Sequence, residues 1–289
     1  MTVQRPLDHL VLAVHDLAAA QEAYARLGFT LTPKALHPFG TANSLVQLQG
    51  NFLELLMVAD RSLIKPPAPG HFSFARFNET FLKSREGMSM LVFASDDARR
   101  DQQGFTASDL ETYAPFDFQR LAKLPDASEV TVGFSLAFVT DKRMPDAAFF
   151  TCQQHAPQYF WKAEYQQHRN GALTVAEVVM VAAEPASLAE HFRKLQPDGA
   201  VTGTGGGLAV TTSRGGITVL APEAYATRFG ERAPGPATPH FAAYRVAVRD
   251  LAQTETILRD AAIPHRREAG SLKIGSHDNF GVALEFTAV

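Results

Sequence analysis

The sequence predicts an α+β fold in which four βαβββ modules pair into two cups of curved, mixed sheet. Two observations carry this prediction. A buried-looking strand, an Asp-Leu step and an amphipathic helix occur in residues 8–28 and again in residues 244–262. Each copy is followed by strands that end in a carboxylate within an apolar run, at Glu54 and at Glu285. An internal repeat of this kind constrains the whole fold more strongly than any single motif.

Two weaker copies of the repeat lie between these ends. Residues 88–100 contain one strand-to-helix step, and residues 175–195 contain another. Three strand-like segments follow each helix, with clear polar–apolar alternation in residues 44–49. One module would leave a sheet face exposed, whereas two modules side by side enclose a concave face. We therefore expect two cups.

The polar stretch 167–171 marks the expected break between the cups. We predict an N-terminal domain of residues 1–168 that holds the candidate site. The C-terminal domain, residues 169–289, is predicted to be a degenerate copy.

The composition limits the classes of function. The chain has 289 residues, a formal net charge of −3 and one cysteine, Cys152. The slightly acidic balance argues against a nucleic-acid partner, and a single cysteine fits a reducing compartment. No run approaches the roughly 20 apolar residues of a membrane span. We expect a cytoplasmic protein without a membrane partner, acting on a small-molecule substrate, with a homodimer as the candidate assembly.

Four motifs occur in order in the first module: residues 7–14, 27–29, 37–43 and 52–56. With these motifs the sequence resembles the vicinal oxygen chelate superfamily and, within it, the glyoxalase-like domain proteins of bacteria. The resemblance implies a divalent metal inside the cup and a substrate whose neighbouring oxygens chelate that metal. It does not fix the reaction, because isomerases, dioxygenases, epimerases, thiol transferases and metal-free binding proteins share this architecture.

His9 and Glu54 are the first two predicted metal ligands. His9 starts the first strand, and Glu54 is flanked by Leu53 and Leu55. A buried, unpaired carboxylate costs several kcal/mol or becomes protonated, so Glu54 needs a metal, an arginine or hydrogen-bond donors. The resemblance places a ligand at both positions. A purely structural polar cluster is the alternative.

The third ligand is less well defined. The resemblance expects it at Ser89, and a neutral serine is a poor ligand for zinc or iron. The last strand of the second module offers Cys152, Gln154 or His155 instead, and we choose His155. With His9 and Glu54 it would form a two-histidine, one-carboxylate set. The expected cofactor is one divalent metal: iron, manganese, nickel or zinc.

Aromatic and polar side chains indicate a substrate-binding mouth. Tyr159 and Trp161, the only tryptophan, have polar tips suited to such a mouth. His37, Phe39 and Asn43 belong to a turn that can close over the cup. The predicted substrate-binding residues are His37, Phe39, Asn43, Gln154, Tyr159 and Trp161. The alternatives are an aromatic plug between modules and an ordinary turn in which Asn43 caps backbone.

The second cup looks degenerate because Ala243 stands where the first cup has His9. Glu285 has no histidine facing it. We expect it to pair with a basic side chain such as Arg245 or Lys273.

These features favour a metal-dependent enzyme of the lyase or isomerase type acting on a small oxygenated organic substrate. The metal would stabilise an enediolate or another chelated oxyanion, with Glu54 as the catalytic base. The first alternative is a metal-free protein that binds or sequesters a small molecule through Phe39, Tyr159 and Trp161. The second is an extradiol-type dioxygenase, whose ligands would normally lie in the second cup.

Overall fold

The computed structural model describes residues 5–66, 68–123, 129–197, 199–268 and 270–289. These residues form two mixed β-sheets with helices packed against them. Within this described part, no helix has the length and apolar character needed to cross a membrane.

The first sheet contains the first two modules. Module one consists of β1 (Leu7–Ala13), α1 (Leu17–Arg26), β2 (Ala35–Leu36), β3 (Thr41–Gln47) and β4 (Phe52–Val58), and α2 (Phe74–Leu82) connects it to module two. Module two consists of β5 (Gly87–Ala94), α3 (Ala98–Ala107), β6 (Glu111–Thr112), β7 (Phe116–Lys123), β8 (Glu129–Thr140) and β9 (Ala148–Gln154), followed by the short helix α4 (Pro157–Phe160).

The second sheet contains the other two modules. Module three consists of β10 (Ala172–Val181), α5 (Ala189–Leu195), β11 (Val201–Thr204), β12 (Gly207–Thr211) and β13 (Gly216–Leu220), and α6 (Pro222–Phe229) connects it to module four. Module four consists of β14 (His240–Val248), α7 (Leu251–Asp260), β15 (Arg266–Glu268), β16 (Ser271–Ile274) and β17 (Ala283–Ala288).

The modules pair in the same way in both sheets. The first strands of neighbouring modules run antiparallel, β1 with β5 and β10 with β14. Within each module the first strand runs parallel to the last strand, as β1 does with β4. The predicted α+β fold of four modules in two cups is therefore confirmed. The division at residue 168 stays a prediction, and the two sheets are joined through residues 167–171.

The repeated Asp-Leu step has a local physical role. The carboxylates of Asp16 and Asp250 each accept hydrogen bonds from two backbone N–H groups in the first turn of the following helix. Asp97 caps α3 in the same way through Arg100 N. Such caps satisfy orphan donors at the helix start, which explains why the step recurs after each of these strands.

One large hydrophobic cluster contains buried side chains from both sheets, so the two cups share a core. Tyr24 from α1 and Tyr244 from β14 meet inside it, with their hydroxyl groups 2.7 Å apart. A separate cluster lines the concave face of the first cup and is rich in phenylalanine.

The concave face of the second cup is filled by the chain itself. Helix α6 inserts Tyr225 and Phe229 against Ala243 and its apolar neighbours. On the same helix, Arg228 Nη2 donates to Glu177 Oε2 and to Glu285 Oε2, both at 2.6 Å. Arg245 Nη2 lies 3.2 Å from Glu177 Oε2.

Glu285 pairs with a basic side chain, as predicted, but that side chain is Arg228 and not the Arg245 or Lys273 named from the sequence. Arg228 takes this role because α6 folds into the cup. Arg245 is drawn to Glu177, and Lys273 Nζ donates to Glu268 and to the Arg228 carbonyl oxygen. The prediction that the second cup is degenerate has a structural explanation: an internal arginine and two aromatic rings occupy its centre.

We expect Arg228→Met to destabilise the fold by roughly 3 kcal/mol, because it leaves two buried carboxylates without their shared cation. The estimate is at the low end for a buried pair, since 26% of the Arg228 side chain is exposed. Chemical denaturation of wild type and variant measures the difference. Arg232→Met, an exposed change in the same segment, is the control and should have little effect. Equal stability of the wild type and Arg228→Met would contradict this account of the second cup.

Candidate functional site

The first cup contains a cavity of about 50 Å³, counted as the space that the centre of a water molecule can reach. Its walls are mostly apolar, and seven of the fifteen lining residues are phenylalanines. The lining residues are His9, His37, Phe39, Asn43, Leu45, Phe52, Glu54, Phe74, Phe118, Arg120, Phe134, Leu136, Phe150, Cys152 and Phe160. An apolar pocket with a few convergent polar groups is the usual form of a small-molecule site.

His9 lies at the floor of the cavity and is held by its neighbour Asp8. The pairing of β1 with β5 shifts register between Leu7 and His9, so one extra residue is accommodated there. This bulge allows Asp8 to reach the histidine, and Asp8 Oδ2 lies 2.7 Å from His9 Nδ1. The imidazole ring also stacks on the ring of Phe52, with ring centroids 4.3 Å apart.

Glu54 lies on β4, opposite Val11 of the neighbouring strand. Its Oε2 is 3.7 Å from His9 Nε2, and its Oε1 accepts a 2.6 Å hydrogen bond from Asn43 Nδ2. Burial raises the pKa of Glu54, and the nearby His9, the bond from Asn43 and Arg120 only partly oppose this effect. The environment therefore favours the neutral carboxyl group more than water does.

The imidazole ring of His37, in the turn before β3, contacts the Asn43 side chain. Its Nδ1 lies 2.8 Å from Thr41 Oγ1, and its Nε2 lies 3.3 Å from Asn43 Nδ2. Burial, reinforced by the charge of Arg120, lowers the pKa of His37 to about 3. His37 is therefore neutral near pH 7 and can accept a hydrogen bond from the Asn43 amide.

The turn depends on Gly40. This residue has a φ of +94°, and a Cβ atom there would lie 2.3 Å from the Asp60 carbonyl oxygen. Its own carbonyl oxygen accepts hydrogen bonds from the backbone N–H groups of Ala59 and Asp60. Only glycine fits this close approach, which folds the turn onto the end of β4 and brings Phe39 into the cavity.

Two residues of the site were missed from the sequence, Asp8 and Arg120. Asp8 precedes His9 on a strand, where alternation predicts that it points to the opposite face; the bulge removes this constraint. Arg120 lies on β7, two residues after Phe118, and both side chains line the cavity. The alternation of Phe116, Phe118 and Arg120 in the sequence is the signal that could have indicated this face.

Of the other predicted substrate-binding residues, one lines the cavity and three lie outside its lining. Phe39 joins His37 and Asn43 in the cavity lining. Tyr159 is 38% exposed and lines an adjoining outer groove. Trp161 packs edge-on against Phe52 and Phe160, outside the lining set. Gln154 is also outside that set, and its Oε1 is buried without a hydrogen-bond partner in the described part of the chain.

The structure does not bring His155 to His9 and Glu54. His155 is exposed, and its Nε2 lies 2.8 Å from Ser135 Oγ, which in turn donates to Asp117. The reason is the alternation along β9: Cys152 points into the cavity, so the face of residue 155 is the outer one. Choosing His155 as third ligand was therefore wrong.

At the other described positions of the second module where the resemblance expects ligands, no histidine or carboxylate side chain is present. Ser89 is buried and donates to Asn78 on α2, at 2.7 Å. Met90, Val92 and Phe150 belong to the apolar cluster on the concave face, where the resemblance expects ligands.

His9 and Glu54 are therefore the two predicted ligands that lie together. His37 Nε2 is 4.0 Å from Glu54 Oε1, but the Asn43 amide lies between them and bonds to the carboxylate. Across the described ranges, no group of three histidine, cysteine, aspartate or glutamate side chains could hold a metal ion. The donor set does not fit a resident divalent metal, which usually has three or more protein ligands.

We expect Glu54→Gln to gain stability relative to wild type as pH rises. The folded-state pKa of Glu54 is raised, so its contribution to stability is fully present below its unfolded pKa of about 4.3 and is lost as pH rises through the folded pKa. Glutamine does not titrate. Melting temperatures of both proteins between pH 4.5 and 8.5 measure the effect.

Glu285→Gln provides the matched control. Its carboxylate bonds to Arg228, so this variant should be less stable than wild type near neutral pH. A difference between wild type and Glu54→Gln that does not change with pH would contradict the pKa shift of Glu54.

Solved structures share the fold at low sequence identity. A hypothetical protein from Staphylococcus aureus is 12% identical with a TM-score of 0.71, covering 98% of this chain and 99% of that protein. A mutant of 4-hydroxymandelate synthase from Streptomyces coelicolor is 14% identical with a TM-score of 0.59, covering 99% and 92%. The 2,2′,3-trihydroxybiphenyl 1,2-dioxygenase from Sphingomonas wittichii is 10% identical with a TM-score of 0.56, covering 99% and 91%.

No curated protein matches the sequence. The family model of the glyoxalase-like domain matches residues 7–196, which is most of the chain and includes the whole candidate site. The two-cup topology agrees with this match. The protein therefore belongs to the glyoxalase-like domain family of the vicinal oxygen chelate superfamily.

Proposed function

We propose that this protein is an enzyme of the lyase or isomerase type that moves a proton at a carbon next to a carbonyl group of a small apolar molecule. The observation that carries the proposal is the buried series Asp8, His9 and Glu54 at the floor of an aromatic cavity. Acid–base catalysis needs a base and an acid within reach of neighbouring substrate atoms. The series supplies both.

His9 is the base in this proposal. An ionised carboxylate only accepts hydrogen bonds, so Asp8 Oδ2 selects the tautomer in which His9 Nδ1 carries the hydrogen. Nε2 then has the free lone pair on the side of Glu54 and the cavity. Asp8 also stabilises the imidazolium that forms when Nε2 takes a proton.

Glu54 is the acid, in place of the base role predicted from the sequence. Asn43 donates to Oε1, which leaves Oε2 to carry the proton. Burial favours this neutral form. A protonated carboxyl group in an apolar pocket can donate to an oxygen that gains negative charge.

The reaction then uses groups of the chain alone. His9 Nε2 takes the proton from the carbon, the electron pair of that C–H bond moves toward the carbonyl oxygen, and Glu54 Oε2 donates its proton to that oxygen. An enol results. If the carbon that loses the proton carries a hydroxyl group, the product is an enediol. His9 then returns its proton to the former carbonyl carbon while the Glu54 carboxylate takes the proton of the other hydroxyl, which completes an isomerisation. If the next carbon carries a leaving group, the Glu54 carboxylate takes back the enol proton while His9 gives its proton to the departing group, which completes an elimination. The 3.7 Å between Nε2 and Oε2 suits two neighbouring substrate atoms.

The aromatic walls also support a second candidate, a protein that binds or sequesters a small molecule without reaction. Seven phenylalanines line the cavity, and binding would need only these walls. The extradiol alternative has less support, because α6 and Arg228 fill the centre of the second cup.

We expect the wild type to speed hydrogen–deuterium exchange at the carbons beside the ketone of 4-phenyl-2-butanone in D₂O. His9→Gln and Glu54→Gln should each lower the rate by about 100-fold or more, the usual range for losing an acid or base. Proton NMR measures the exchange.

Glu285→Gln is the control, because it removes a carboxyl group at the matching position of the other cup, and its exchange rate should equal that of wild type. If the ketone binds but all four proteins exchange at the buffer rate, the protein binds small molecules without catalysis and the proposed enzyme activity is refuted. Exchange that is catalysed equally by wild type and His9→Gln would refute the assignment of the base.

Loading the protein with metal and then removing it tests whether the side chains of the first cup hold a divalent metal. After loading with iron, manganese, nickel or zinc and dialysis against buffer, we expect much less than one metal per chain in both wild type and His9→Ala. Dialysis against EDTA should leave the exchange rate unchanged. One equivalent of metal held by wild type and lost in His9→Ala would instead restore the metal site predicted from the sequence.

A further inference from the structure

Arg120 lies where the inner cavity meets an outer groove. The two spaces share four lining residues: Asn43, Leu45, Arg120 and Phe160. A ligand that fills the cavity and extends outward therefore passes Arg120.

The outer groove is lined by unusually exposed apolar side chains. Leu36 is 66% exposed, Leu121 is 61% exposed, and Tyr159 is also accessible. These are three of the five large apolar side chains classed as exposed in the described part of the chain, and all three line this groove. Three exposed apolar side chains along one groove fit an organic ligand with an apolar body better than a wholly polar one.

Among the residues that the structure describes, no carboxylate is bonded to the guanidinium of Arg120. Arg5, a buried arginine, donates to Asp101 at 2.8 Å, and Arg228 bonds to two glutamates. Arg120, by contrast, makes no side-chain hydrogen bond or ion pair to another residue in the described ranges. An arginine remains charged in proteins, so this partly desolvated cation can gain from an anionic partner.

The nearest titratable groups do not supply that partner. Glu54 attracts Arg120 across the cavity, but burial raises the pKa of Glu54 and Asn43 already bonds to its Oε1. His37 is neutral near pH 7. The neck of the cavity thus combines a cation with apolar walls.

We propose that Arg120 selects ligands that carry a carboxylate on an apolar body. The body fills the phenylalanine-lined cavity, the carboxylate pairs with the guanidinium at the neck, and further atoms of the ligand extend over Leu36, Leu121 and Tyr159. This orientation directs the inner end of the ligand toward His9. The inference rests on the proposed function in one respect, that the ligand occupies the same cavity.

The test compares two probes of the same shape, 4-phenylbutanoate and 4-phenylbutanamide, by titration calorimetry at pH 7.5. Wild type should bind the acid at least about tenfold more tightly than the amide, since a charge-assisted hydrogen bond contributes that much or more. Arg120→Met should remove this preference and change the affinity for the amide less than about twofold.

Lys34→Met is the matched control. Lys34 is exposed and lines the outer groove but not the inner cavity, so the variant removes one positive charge without altering the neck. It should keep the preference for the acid.

Four results would overturn the inference. These are equal affinity of wild type for both probes, an equal loss for both probes in Arg120→Met, an equal effect of Lys34→Met and Arg120→Met, and binding of neither probe. Neither probe has a ketone, so the result is separate from the exchange assay. A protein that prefers the acid but exchanges no proton keeps this inference and loses the proposed reaction.

Discussion

Each cup buries a glutamate on the last strand of one of its modules, Glu54 on β4 and Glu285 on β17, and the way this carboxyl group is compensated decides what the cup can do. In the second cup, Arg228 of α6 bonds to both Glu285 and Glu177. A cation supplied by the chain satisfies the carboxylates and closes the space. In the first cup, Glu54 receives a neutral donor, the Asn43 amide, and lies beside His9. Its charge is only partly compensated, so the neutral acid is favoured.

The other polar residues of the first cup are arranged around the Glu54 carboxyl group. The bulge in β1 turns Asp8 toward His9, and the contact of its carboxylate with His9 Nδ1 fixes the orientation of the imidazole ring. The turn around Gly40 packs on the end of β4 and brings His37 next to Asn43. Each polar group therefore has a partner on its own module. The second module supplies mainly apolar walls, with Arg120 at the mouth.

The difference between the two modules of the first cup shows that the fold alone does not determine the chemistry of the site. The solved structures that share the fold include one named as a synthase and one named as a dioxygenase, yet at 10–14% identity the likeness shows only the architecture. In this chain, the pairing of two modules is preserved while the second module has lost the donors that the superfamily resemblance predicts. His9 and Glu54 remain together within the cavity, and in the function proposed above they act as an acid–base pair.

The module plan and half of the candidate site could be predicted from the sequence because they depend on local signals. Alternation of apolar residues and the capping aspartates identify the strands and helices. Within one module these elements place His9 and Glu54 on adjacent parallel strands, with His37, Phe39 and Asn43 beside them. These five of the nine predicted site residues lie together in the cavity lining.

Only the tertiary structure decided the rest, because those features depend on register and on distant packing. A shift of one residue reverses the face of a strand side chain. This is why His155 points outward and why the bulge at Asp8 could not be predicted from alternation. Arg120 reaches the cup through the pairing of β7 with β8, and Arg228 through the packing of α6 against the second sheet. The sequence near either arginine gives no signal for the groups that surround it, since those groups lie far away along the chain.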